Sequence, residues 1–388
     1  MMKLTILFCT CIFLLSGCSV KDAYKDAQKQ MNTKPVLTPR ETIEQFFDRQ
    51  YEAYTSLQYQ TVEDLLDRNE LRNRNEEVWL KTLIQRRKLI AEHNLCYIST
   101  EHVPYTITFN KYADDERMQV WKQMNDFSKD EQTIHFTITG QKDRVYPPFF
   151  AMNAQHTMRL KKIDGRWVIT FHFFPGAERK FGFQTALTVP TEQRMLSQLK
   201  QEFKMQPIHI SNLQVSPPDN AILYQGKRAA EYAKTYIKSA NPAFYRISDW
   251  MGNCSNYASQ CIWYGFCKGI EPDELQDRMT SEWFAGTGGG SPAWENVEHF
   301  WNYATEEKNS GLIGEVVNSI HQLKPGGLIQ VCTKGSKDSD EGYNHSLMMV
   351  DPVTFTLAQN TPNCFVYYSD LVYTDIRFFN PTYQIIES

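Results

Sequence analysis

Asn253-Cys254-Ser255-Asn256-Tyr257-Ala258-Ser259-Gln260-Cys261 sets a cysteine after a loop that carries Gly252 and ahead of the apolar run Ile262-Trp263-Tyr264. The pattern predicts a buried helix that starts at or near Cys254. That position has a chemical consequence. A free thiol, with a pKa of about 8.5, is largely protonated at neutral pH, and only the thiolate is a strong nucleophile. A helix N-terminus favours negative charge, and its first backbone amides have no intrahelical partner, so they can receive an oxyanion.

A thiol also needs a base. Downstream, Lys324-Pro325-Gly326-Gly327 leads into an apolar strand over Leu328–Thr333, and a polar loop runs to Tyr343. Asn344-His345-Ser346 then opens a second strand, Leu347-Met348-Met349-Val350. Asp351-Pro352 turns the chain into a third strand that ends at Asn360. A cysteine at a helix start, a histidine opening a later strand and an asparagine ending the next is the papain-type order. In it, Cys254 is the nucleophile, His345 the base, and Asn360 the residue that holds the imidazole in the right tautomer. Asn256 and Gln260 share the helix of Cys254 and read as hydrogen-bonding framework. Trp294 reads as core. Upstream, Ala221 to Lys238 is helical in pattern, followed by a loop through Asn241-Pro242.

Taken together, Ala229-Ala230-Glu231-Tyr232-Ala233, Asn241-Pro242, the Cys254 segment, Trp294, Gly326-Gly327 and His345-Ser346 occur in an order that resembles the putative amidase domain family of bacterial exported proteins, a papain-fold group akin to the CHAP cell-wall amidases. The resemblance covers residues 221 to about 364. It implies amide hydrolysis by the Cys254–His345 pair on peptidoglycan or a peptide. The chain departs from the family in three places. Asn253 stands for the usual Asp, Gly326-Gly327 for Gly-Asp, and Asn360-Thr361 where relatives commonly carry His-Thr.

The other end of the chain indicates a compartment. Met1-Met2-Lys3 is a short basic start, and Leu4 to Leu15 is an apolar run too short to span a bilayer, which needs roughly 20 residues. It ends Leu15-Ser16-Gly17-Cys18, which resembles the bacterial lipobox. The expectation is a signal peptide over residues 1–17, a lipidated Cys18, a polar tether over 18–37, and a protein held on the extracytoplasmic face of the bacterial cell membrane. Cys96, Cys254, Cys261, Cys267, Cys332 and Cys364 remain for the folded part. An oxidising compartment favours disulfides among them, with the pairing left open once Cys254 is set aside. With no C-x-x-C and no paired His set, neither a metal site nor a cofactor is expected.

Thr38-Pro39-Arg40-Glu41 reads as a capping box, and Ile43, Phe46, Phe47, Tyr54 and Leu57 recur at helical spacing. Helical signal resumes over Thr61–His93, interrupted at Asn69–Asn75. Alternating runs in Gln132–Thr139 and Arg166–Phe173, the latter after an Asp164-Gly165 turn, read as antiparallel strands. The pattern is similar to nuclear-transport-factor-like domains. His102, His135, His156 and His172 sit in or beside these strands and read as hydrogen-bonded rather than ligating. The whole is therefore α+β: an accessory domain over 38–175, a connector over 176–220 with a short helix near Glu192–Phe203, and a papain-like domain over 221–388 expected to suffice for activity. A length of 388 residues fits two folded units. At 41% hydrophobic and 22% charged the chain is neither disordered nor a multi-span membrane protein, and a net charge of −4 gives no general surface for nucleic acid. The expected function is a surface-anchored cysteine amidase or peptidase. The alternatives are an inactive binding or scaffold lipoprotein, and an acyl transferase on the same Cys–His pair.

Overall fold

A computed structural model describes residues 36–110, 130–141, 144–174, 177, 186–187, 190–204, 217–247, 252–267, 278–306, 308, 310–332, 342–360, 363–373 and 375–385. The expected signal peptide, the lipidated Cys18, the tether up to residue 35 and Thr361 lie outside the described residues. Seven helices and antiparallel sheets make the described chain α+β.

Helix α1, Pro39–Ser56, begins where the capping box puts it. Thr38 Oγ1 accepts from Glu41 N, and Glu41 Oε2 accepts from Thr38 N at 2.7 Å. Helix α2 is Leu71–Glu92: the helical signal is broken at Asn69 and Glu70, as expected, but Asn73 and Asn75, also in the stretch expected to break it, lie in its first turns. The reason is tertiary. Asn73 Nδ2 donates to the carbonyls of Asp67 (3.0 Å) and Ile169 (2.8 Å), and Asn75 Oδ1 accepts from Leu187 N (2.9 Å). Side chains bonded to distant partners no longer compete with their own helix.

Strands β1 (Tyr105–Asn110), β2 (Glu131–Gly140), β3 (Gln155–Ile163) and β4 (Arg166–Phe173) form one sheet in the order 1-2-3-4. Asp164 and Gly165, with φ of 49° and 78°, close the β3–β4 hairpin. Phe46 and Phe47 of α1 pack fully buried among Phe136, Phe150 and Ile169. Burying one such ring stabilises the fold by about 2–3 kcal/mol. Inside this core lies a polar chain. His156 Nε2 meets the Phe150 carbonyl (2.9 Å), His156 Nδ1 meets His172 Nε2 (3.1 Å), and His172 Nδ1 meets Glu76 Oε1 (2.7 Å). A carbonyl only accepts, so His156 carries its proton on Nε2 and presents a bare Nδ1. With His156 neutral, His172 donates to that atom from Nε2.

Helix α3, Glu192–Lys204, matches the helix expected in the connector, but it is packed rather than loose. Met195 and Leu199 join Leu89 and Ile90 of α2 in a small apolar cluster. The chain then enters the C-terminal sheet as β5, Ala221–Leu223, where a helix was expected from Ala221. Ile222 and its neighbours fill the edge position beside Gln384, and helix α4 begins only at Gly226, running to Tyr236. Helix α5 is Cys254–Phe266. A short hairpin of β6 (Ala285–Gly286) and β7 (Gly289–Gly290) follows, then α6 (Pro292–Glu295) and α7 (Val297–Thr305).

Strands β8 (Gly311–Val317), β9 (Leu328–Cys332), β10 (His345–Asp351), β11 (Thr356–Gln359), β12 (Cys364–Tyr367) and β13 (Asp375–Ile385) complete a seven-stranded antiparallel sheet. Its order is β12-β11-β10-β9-β13-β5, with β8 also on β13. One face packs on α4, α5, α6 and α7 through Ala233, Ile262, Trp294, Met348 and Phe379. The other gathers Ile329, Leu347, Leu357 and Val366, with Cys96 and Phe203 from the N-terminal half against it.

The two halves are clasped. Arg87 of α2 pairs with Asp370, which follows β12, and neither side chain is exposed to solvent. Tyr54 also donates to Asp370 (2.7 Å), and the hydroxyls of Tyr368 and Tyr373 reach Glu202 of α3. None of the six cysteines from Cys96 to Cys364 is in a disulfide. No described helix is long and apolar enough to cross a membrane.

Candidate active site

Helix α5 starts at Cys254, whose residue is 4% exposed. Asn253 occupies the N-cap position, yet its side chain does not cap. Its Oδ1 accepts instead from Ile247 N (3.2 Å) and Asn256 Nδ2 (2.8 Å), and its Nδ2 donates to Asn360 Oδ1 (3.1 Å). A cap that turns its carboxamide elsewhere leaves the first-turn amides to whatever sits at the cysteine.

A buried relay of amides and one phenol holds this turn. Asn241 Nδ2 donates to Tyr232 Oη, Tyr232 to Gln260 Oε1, and Gln260 Nε2 to Asn256 Oδ1, each at 2.9 Å. Trp294 Nε1 also donates to Asn256 Oδ1 at 2.9 Å, and Asn256 Nδ2 reaches the Tyr245 carbonyl at 2.8 Å. Asn256 is thus saturated: two donors meet its oxygen and two acceptors meet its nitrogen. Buried polar networks of this kind rigidify when every member is satisfied.

The opposing wall is the β10–β11 pair. Ser255 Oγ lies 3.3 Å from Ser346 Oγ, and Asn253 bonds Asn360. Cys254 therefore sits between two residues in direct contact with the strands, and His345 and Gln359 immediately precede the residues they touch. As the first residue of β10, the half-buried His345 stands at the end of the sheet where α5 begins. The approach to β10 is anchored by Glu298, whose Oε1 accepts from Tyr343 N (2.6 Å) and whose Oε2 accepts from Arg377 (2.9 Å). Gln330 links Arg377 Nε (2.8 Å) to Ser346 Oγ (3.3 Å).

The expected orienting residue is displaced by one. His345 Nε2 is 2.9 Å from Oε1 of Gln359, whereas Asn360, assigned to the imidazole from the sequence, presents its oxygen to Asn253. Strand register explains this. Leu347 stands opposite Gln359, so Gln359 shares with Leu347 and His345 the face turned away from α5, and alternation turns Asn360 to the face of Ser346 and α5; His345, the first residue of β10, can meet Cys254 only around the end of the strand. Gln359 in turn donates from Nε2 to Cys364 Sγ at 3.2 Å. Its oxygen is therefore the acceptor toward His345, which carries its proton on Nε2 and keeps a lone pair on Nδ1. No local signal separates Gln359 from Asn360, because both are carboxamides at the end of the strand. Among the described residues no group of three or more His, Cys, Asp or Glu side chains could hold a metal ion.

Residues 223–375 match the family model described as a putative amidase domain. The match runs from the end of β5 to the start of β13 and contains Cys254, His345, Gln359 and Cys364. It supports an amidase domain in this part of the chain and points to amide hydrolysis as its chemistry. No curated protein and no solved structure matches the chain.

Proposed function

We propose that residues 221–388 form a papain-like cysteine amidase or peptidase that cleaves an amide bond in cell-wall peptidoglycan, carried on a nuclear-transport-factor-like accessory domain and anchored to the extracytoplasmic face of the membrane through a lipidated Cys18. The observation that carries the reading is the start of α5 at Cys254, tied on both sides to the strand ends that carry His345 and Gln359. The match to the putative amidase domain over 223–375 supports the same reaction class.

The chemistry follows from these atoms. His345 Nδ1 takes the thiol proton, and the sulfur attacks the amide carbonyl. The first-turn amides of α5 receive the oxyanion. The imidazolium, steadied by Gln359 at Nε2, returns the proton to the leaving amine. Water then releases the acyl group from sulfur through the same base. The test is digestion of purified peptidoglycan by the full chain, with products read by mass spectrometry. New amine termini with the unaltered protein and none with Cys254→Ala are expected. Equal digestion by Cys254→Ala overturns the cysteine mechanism.

A further inference from the structure

A shallow cleft, open to solvent, lies where the two halves of the molecule meet. The N-terminal half contributes Arg144, Tyr146 and Asn153, and the C-terminal half contributes Lys238, Asn363 and Cys364. Arg144 and Lys238 are the charged side chains among its described lining residues. Arg144 is ion-paired with Glu101, outside the cleft. The two side chains are 45% and 54% exposed, and a pair so hydrated holds its guanidinium only weakly. Tyr146 is a fixed wall, its hydroxyl donating to the Pro104 carbonyl and accepting from Gln141 N, both at 2.8 Å.

Two features separate this cleft from an incidental gap. The buried Arg87–Asp370 pair clasps the halves that form it. Its wall also reaches the candidate active site: Cys364 Sγ accepts from Gln359 Nε2, and Gln359 Oε1 bonds His345 Nε2. The imidazole is two hydrogen bonds from the cleft surface.

We propose that this interdomain cleft binds the carboxylate-bearing end of a peptide substrate, so that the accessory half supplies substrate recognition. The proposal rests on the cysteine-hydrolase reading for the identity of the substrate. Guanidinium and ammonium groups bind a carboxylate through charge-assisted hydrogen bonds, and the carboxamide of Asn153 adds a neutral donor.

Binding is measured by calorimetry on full-length Cys254→Ala, which separates it from turnover. The probes are N-acetyl-alanyl-alanine with a free carboxylate and the same peptide with a C-terminal amide. The free acid is expected to bind at least about tenfold tighter than the amide. Adding Arg144→Gln and Lys238→Gln, both at surface positions, is expected to erase that preference with an unchanged melting temperature. Equal affinity for the two probes, no binding of either through the millimolar range, or a preference that survives the double substitution overturns the proposal. Digestion by the Cys254 protein tests the hydrolase reading separately, since neither outcome of the calorimetry depends on the thiol.

Discussion

On the proposed mechanism, Gln359 is the residue on which the base depends. It fixes the proton of His345 on Nε2, so that Nδ1 is available to a thiol, and Cys364 fixes the orientation of Gln359 itself. Gln359→Leu keeps the size and removes both hydrogen bonds. It is expected to lower kcat by about 100-fold, the typical scale of losing a positioned proton carrier. The acidic limb of the kcat/KM profile should shift as well, because the imidazolium loses its acceptor. Gln359→Glu retains an acceptor and is expected to restore part of the rate. A Gln359→Leu profile that superimposes on that of the unaltered protein would leave the residue with a merely structural role.

At the scale of elements, the contact between α2 and the turn after β12 is the one whose loss the fold tolerates least. Arg87 and Asp370 have left water completely, and Tyr54 completes the carboxylate's partners. Breaking such a pair from one side leaves a buried charge and typically costs about 3–5 kcal/mol. Arg87→Met should therefore lower stability to urea by that order, and Asp370→Asn in the same chain should recover much of it. A double-mutant cycle read by urea denaturation checks the coupling. The same contact bears on the fragment 221–388. Isolated, it loses Arg87 from Asp370, Glu202 from Tyr368 and Tyr373, and Phe203 from the second face of its sheet. It is expected to be markedly less stable than the same residues in the full chain, in contrast to the independence its sequence suggests.

For the whole molecule, acid sensitivity is set by the core of the N-terminal half. Burial pushes His156 down to about 3 from the ordinary 6.5, and His172 beside it adds to the shift. A group whose folded pKa is depressed binds fewer protons folded than unfolded. Stability is therefore unaffected by this group above pH 6.5 and is lost as pH falls from 6.5 toward 3, at about 1.4 kcal/mol per pH unit for one proton. Urea midpoints at pH 7 and pH 5 should differ accordingly, and His156→Gln should flatten the difference by about one proton. Nitrogen-15 shifts of His156 should show a neutral ring, protonated at Nε2, at both pH values. A ring that titrates near pH 6 would contradict the buried chain.

Features decided within a few residues were legible in the sequence itself. The Thr38–Glu41 capping box, the Asp164-Gly165 turn and the start of a helix at Cys254 each follow from local backbone preference and apolar period. Strand order around His345 followed as well, from alternating apolar runs punctuated by Gly and Pro. What only the tertiary structure decided depends on pairing between distant segments. Ala221–Leu223 is a strand because β13 offers it an edge. Asn73 and Asn75 stay helical because β4 and the Leu187 segment take their amides. Gln359 rather than Asn360 meets the imidazole because a one-residue step in register moves a side chain to the opposite face of the sheet, and register is a property of two strands together.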